Sequence, residues 1–311
     1  MALSSEITTS QKSISPWIVG IFFALMGTTL FSLKPVLIKI AYQNGLTPEA
    51  VIGLRMFIAM PFYLVIGVLA LRHRQWQASP KMMLFAGLTG LLGYYAAAYL
   101  DLLALTYISA QLERLVLFTY PGWVIIFAAL LLGEAITIRK IFALLLTYVG
   151  VILVVVNEAF TIGDGVAIGV GLAFLTTILF SAYTLASKPL ITGLGTGLFT
   201  SIAMASSGFM IAAHLAVTDS FGDLVVSTPM LGLVTFLAIG ATVAPSYLLS
   251  AAVSRVGVGN MAVASTVGPG ITSIFAVWVL GEPFTIFNAA GLLFTGAGIV
   301  VLTWKTSEKK R

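Results

Sequence analysis

Apolar residues fill this chain in long unbroken stretches, with neither the alternation of a half-buried strand nor the single stripe of a surface helix. A helix needs about 20 apolar residues to cross the hydrocarbon core of a bilayer. Stretches of that order lie at residues 17–41, 48–71, 82–105, 109–132, 138–156, 163–187, 196–217, 229–253, 258–280 and 286–304, which predicts ten transmembrane helices. Continuous runs without period-two alternation exclude a β-barrel. The connections are short and carry turn residues: Asn44-Gly45, Asn157, Gly193, Asp219 to Gly222, and Ser227 to Pro229. None is long enough for a soluble domain. Residues 1–16 are polar, and the apolar run that follows is longer than the roughly 7–15 residues of a signal's apolar core, so it is expected to be the first membrane helix.

The second half of the chain repeats the first. Leu30-Phe31-Ser32 returns as Leu179-Phe180-Ser181, 149 residues on, with Thr28 matched to Thr177 and Lys39 to Lys188. Later matches are 148 apart: Tyr99 and Tyr247, Pro121 and Pro269, Gly133-Glu134 and Gly281-Glu282, Gly150 and Gly298. Single matches mean little in a chain so rich in Leu, Ala and Gly. Their agreement in order, with one deletion between the two registers, indicates duplication. Each half holds five predicted helices, and an odd number sends the second copy into the membrane from the opposite side. The predicted architecture is an all-α membrane protein of ten helices in two inverted five-helix repeats, an arrangement used by many secondary transporters. The expected units are a polar tail (1–16), a first repeat (17–156), a second repeat (163–304) and a basic tail (305–311).

Composition strengthens this reading. Charged residues are 9% of the chain and hydrophobic ones 59%, whereas about a quarter of an average soluble chain is charged. The net charge of +5 is no nucleic-acid signal, because the bases sit between and after apolar runs. With no cysteine there is neither disulfide nor thiol metal site. The bases set orientation. If the N-terminus is inside, the inner loops hold Arg72, Arg74, Lys81, Arg139, Lys140, Lys188 and Arg255, and the inner tail holds Lys305, Lys309, Lys310 and Arg311. The outer loops then hold only acids: Glu158, Asp164, Asp219 and Asp223. Both termini are therefore expected in the cytoplasm.

Charges inside the spans are costly and need a partner or a cavity. Lys34, Arg55, Asp101, Glu113 and Arg114 come from four helices of the first repeat and fall at one depth, in the outer half. The second repeat has Tyr183, Met204, Leu249, Met261 and Ala262 there. One reading is a structural network in which Asp101 and Glu113 neutralise Arg55 and Arg114. The other is a cavity wall or gate that binds charged substrate groups. Lys34 is deepest, has no carboxylate at an adjacent helical position, and points to binding. Three bases against two acids leave one positive charge to meet a carboxylate; Glu113 or Asp101 could instead take a coupling proton.

Tyr95 and Tyr99 lie four residues apart on one helix face. With Tyr183 and Tyr247 they are candidates either for packing or for a wall that binds an amphipathic solute. Pro121, Pro245 and Pro269 interrupt helices mid-membrane. Pro121 and Pro269 are repeat mates, which favours a bend beside a cavity or a hinge over simple packing. Gly133 and Gly281 suit helix C-terminal stops, and the glutamate after each suits the start of the next helix.

Two histidines, His73 and His214, no HExxH and no aspartate pair within the spans argue against an enzyme, a metal or a cofactor.

The run Gly93-Tyr94-Tyr95 to Tyr99-Leu100-Asp101, then Ile108-Ser109-Ala110-Gln111-Leu112-Glu113-Arg114-Leu115 and Phe118-Thr119-Tyr120-Pro121, resembles a bacterial subgroup of the EamA-type branch of the drug/metabolite transporter superfamily. It is similar in layout to the YddG-like amino-acid exporters, and the resemblance spans nearly the whole chain. It implies a basket-like central cavity lined by helices 1, 3, 4, 6, 8 and 9, with helices 5 and 10 outside. The expected function is secondary export of a small metabolite, an amino acid or similar zwitterion, across a bacterial inner membrane by alternating access. Export of other amphipathic or cationic compounds, or a passive facilitator or channel, are the alternatives. A monomer is expected, with the substrate and the lipid bilayer as partners.

Overall fold

Pro35 decides the shape of the first span. A computed structural model describes residues 15–73, 79–161 and 163–303; the N-terminal tail up to Ile14, Arg74 of one charged loop, and the basic tail lie outside the described residues. The first apolar run forms two helices, Pro16–Ser32 (α1) and Lys34–Gln43 (α2), joined at Leu33. A proline has no N–H for the carbonyl four residues before it. In hydrocarbon that carbonyl needs another donor. Phe31 is the residue affected, and its oxygen accepts from Arg114 Nη2 at 3.2 Å. The next carbonyl, of Ser32, accepts from Thr272 Oγ1 at 2.8 Å.

Pro48–His73 (α3) follows, then Pro80–Gly90 (α4), a π-helical segment Leu91–Ala96 and Ala97–Tyr107 (α5), all one span. Ala110–Leu117 (α6) and Tyr120–Leu132 (α7) make the next, separated at Phe118 and Thr119 just before Pro121. Ile138–Thr161 (α8) closes the first repeat. The second comprises Gly165–Leu194 (α9), Thr196–Val217 (α10), Thr228–Ala238 (α11), a π-helical segment Ile239–Val243, Ala244–Ser265 (α12), Gly268–Leu280 (α13) and Ile286–Thr303 (α14). A break at Thr266 and Val267 precedes Pro269, as its mate precedes Pro121. Val256 of α12 lies against Gly20 of α1, and the Ser265 hydroxyl is 3.2 Å from that of Thr28.

Among the described residues eight helices are long and apolar enough to cross a membrane, and Gly268–Leu280 and Ile286–Leu302 are shorter apolar helices. The chain is thus a multi-pass, all-helical membrane protein. The face at which α1 begins is here termed proximal and the other distal.

The packing is symmetric under exchange of the repeats. α1 packs on α12 as α9 packs on α5, while α3 pairs with its mate α10 and α8 with its mate α14. Gly150 and Gly298 show why the last pair is so close. A Cβ on Gly150 would stand 2.8 Å from the Gly291 carbonyl, and one on Gly298 2.6 Å from that of Ala143. Small residues that let backbones approach are the usual basis of helix association in lipid. Even the π-helical segments are repeat mates, beginning at Leu91 and Ile239. Pro245 follows the second, but Ala97 stands at its place in the first, so proline does not make this distortion.

Candidate charge and tyrosine site

Four of the five intramembrane charges meet where the first span breaks. Lys34, at the start of α2, donates to Asp101 Oδ2 of α5 at 2.7 Å. This corrects the expectation that Lys34 lacks a carboxylate partner. The partner is 67 residues away in sequence, on a neighbouring helix that helical spacing could not reveal. Arg114 lies 3.9 Å from Glu113 Oε2 and donates to the Phe31 carbonyl. The Phe31 ring has Arg114 on it at 5.1 Å and Lys34 at 5.9 Å, both within the range of a cation–π attraction. Asp101 and Glu113 lie in each other's electrostatic field.

The network is therefore wired differently from the expected pairing of Asp101 and Glu113 with Arg55 and Arg114. Asp101 goes to Lys34, and Arg55 has no ion pair among the described residues. Arg55 nevertheless lies in the electrostatic field of Asp101, Lys34, Tyr42 and Tyr63. Asp101 Oδ1 and Glu113 Oε2 are buried without a hydrogen-bond partner among the described residues. Buried pairs of this kind hold together strongly once formed, since removing one partner strands the other charge.

The candidate tyrosines form three groups and no single wall. Tyr95 bonds His214 Nδ1 at 2.8 Å, and the rings of both Tyr95 and Tyr99 stand edge-on to His214. The Tyr99 hydroxyl donates to Glu49. Tyr183 donates to the Tyr94 hydroxyl at 2.9 Å across the repeat boundary. Tyr247 lies near Tyr63, ring centroids 6.3 Å apart, with its hydroxyl unpaired among the described residues. Sequence reading gave no role to Glu49 or to His214 here. Their one signal was polarity near span ends, which most polar residues there share.

Gly133 and Gly281 both take the left-handed conformation, with φ of 67° and 69°. After each, the glutamate N–H reaches back six residues, to Ala128 and Ala276. These matching helix stops agree with the role read for the glycines. The glutamates depart from theirs. Glu282 caps α6, in the other repeat, and not the helix that follows it. Its oxygens accept from Ala110 N at 2.8 Å, and from Gln111 N and Nε2 at 3.3 and 3.2 Å. Gln111 Nε2 also reaches the Pro283 carbonyl. Glu158 of α8 takes the Ser109 N–H and hydroxyl. Two carboxylates thus satisfy the first orphan N–H groups of α6 and oppose its dipole. A cleft of about 400 Å³ at the distal face lies beside this clamp, with Lys39 and Asn288 among its lining. Glu134, by contrast, is 56% exposed and lies 3.8 Å from Lys140 in the first turn of α8, the next helix of its own repeat. No metal-ligating cluster exists among the described residues.

The EamA-like transporter family matches the chain twice, at residues 18–156 and 167–304. A protein of Bacillus subtilis (strain 168) named "Uncharacterized transporter YcbK" is 26% identical, over 96% of this chain and 98% of its own. An "Uncharacterized transporter" of Archaeoglobus fulgidus is 28% identical, over 82% and 89%. One solved crystal structure superposes with a TM-score of 0.62 at 16% identity, over 93% of this chain and 96% of that one, which shows a shared fold.

Proposed function

The chain belongs to the EamA-like transporter family and is no enzyme; on that premise we propose that it is a secondary transporter exporting a small metabolite, an amino acid or similar zwitterion, by alternating access. In this reading ten helices cross a bacterial inner membrane as two inverted repeats, with both termini cytoplasmic. The proximal face, with Arg72, Arg139, Lys188 and Arg255, is then the cytoplasmic one. The protein works as a monomer, its partners the substrate and the bilayer.

The observation that carries alternating access is the unlike state of two equivalent corners. At the distal face Glu282 is engaged on the start of α6. At the proximal face its mate Glu134 reaches no helix of the other repeat among the described residues, and lies 3.8 Å from Lys140 of the adjoining α8. Two halves that exchange roles need one corner closed while the other is released, and the two global states differ in which corner holds. This supports a carrier over a channel.

Counterflow is the test. Proteoliposomes preloaded with unlabelled leucine are expected to accumulate labelled leucine transiently above its outside level. Rapid equilibration without overshoot would indicate a channel. Because the chain has no cysteine, the Gln111→Cys, Pro283→Cys pair can be cross-linked cleanly. The bond should stop flux reversibly, and undiminished flux would remove the distal corner from the transport cycle. A second reading, export of amphipathic cations, draws on the unpartnered oxygens of Asp101 and Glu113.

A further inference from the structure

Among the described residues Arg55 is the intramembrane base of the cluster that has neither a hydrogen bond nor an ion pair, whereas Lys34 and Arg114 have both. It is 4% exposed. Its Nε has no hydrogen-bond partner, and no hydrogen bond or ion pair of its guanidinium exists among the described residues. None of the acceptors around it holds it among the described residues. Asp101 gives Oδ2 to Lys34. Tyr42 donates to the Leu102 carbonyl, and Tyr63 pairs with Ser246. A guanidinium offers five donors in a rigid fork that matches a carboxylate bidentately. Burying such a group without a partner is costly, and buried charges are normally paired.

The scaffold does not require the charge. The repeat mate of Arg55 is Met204, which packs at 3% exposure in the same apolar cluster as Met56, beside Arg55. At equivalent places in a symmetric frame, one repeat fills the position with an apolar side chain and the other holds an unpaired cation there. Charge counting agrees: Lys34, Arg55 and Arg114 against Asp101 and Glu113 leave one positive charge. The pairings assign Lys34 to Asp101 and Arg114 to Glu113, so the surplus falls on Arg55.

We infer that Arg55 is the substrate-carboxylate site of this transporter, and that its substrates carry a free carboxylate. The unpaired Asp101 Oδ1 lies on the same cluster and accepts the ammonium of an α-amino acid. The Tyr247 hydroxyl, unpaired among the described residues and carried on a ring beside that of Tyr63, is the further donor. This assignment rests on the transporter reading above and deepens it.

The test compares leucine, phenylalanine and threonine with their carboxamides, in proteoliposomes of wild type, Arg55→Met and Arg55→Lys. Arg55→Met supplies the second repeat's own residue, and size-exclusion and thermal unfolding in detergent check that it folds. The inference expects transport of the acids, rejection of the amides, and a rise in KM of about 100-fold or more in Arg55→Met. Arg55→Lys should recover part of that loss, since it restores a point charge without the fork. If wild type moves acids and amides alike, or Arg55→Met keeps the wild-type KM, the carboxylate site is overturned while the transporter reading stands. If wild type moves neither series, the amino-acid reading itself falls, and this site with it.

Discussion

The first span and its repeat mate α9 share a short motif and end in opposite roles. Both pass through Leu-Phe-Ser at the same level, at Leu30 to Ser32 and Leu179 to Ser181. Three residues after the serine comes Pro35 in one and Thr184 in the other. The proline opens the first span and frees the Phe31 carbonyl, which draws in Arg114. In α9 the Thr184 hydroxyl donates to the Phe180 carbonyl at 2.7 Å and the helix runs on to Leu194, 30 residues in all. Lys34 at the break finds Asp101, whereas its mate Tyr183 finds another tyrosine. A duplicated frame thus becomes asymmetric through one backbone donor lost and a few charges gained. The break and the charges are one device, since the arginine completes what the proline removes.

The comparison can be broken most strongly at Asp101. Asp101→Leu, the second repeat's residue, should cost about 3–5 kcal/mol by stranding Lys34, read as a large drop in unfolding temperature in detergent. Adding Lys34→Met should restore most of it. A single variant as stable as wild type would show that the pair does not hold the helices together. Thr184→Pro would impose the first span's break on α9, where no arginine waits for the freed carbonyl. A loss of about 3 kcal/mol is expected, and a smaller one would mean that the break needs no donor. Glu282→Ala should cost about 1.5–3 kcal/mol, because several charge-assisted hydrogen bonds to α6 are lost. Glu134→Ala removes only an exposed ion pair, worth about 0–1 kcal/mol. If Glu134 is the corner of the other state, its variant should keep the unfolding temperature yet slow counterflow; unchanged flux would confine the clamp to one face.

Much of this was legible in the chain. The spans follow from apolar runs too long to be anything else, and the stops at Gly133 and Gly281 from glycine before a new turn. The π-helical segments were not legible, because Leu91 to Ala96 and Ile239 to Val243 carry no breaker that separates them from ordinary helix. The cluster's membership was readable from depth, since charges at one level in lipid must associate. Its wiring was not.

Sequence alone determined what must be buried in lipid, where a backbone donor is missing, and which features are duplicated. These depend on local composition and on residues counted along one helix. Tertiary structure alone decided that Lys34, and not Arg55, holds Asp101, and that Glu282 caps a helix in the other repeat. The ends of those contacts are 67 and 172 residues apart. Each acid faced several bases of equal chemical merit. The choice falls to helix packing, which puts one donor at hydrogen-bonding distance and leaves another, of the same charge, without an ion pair among the described residues.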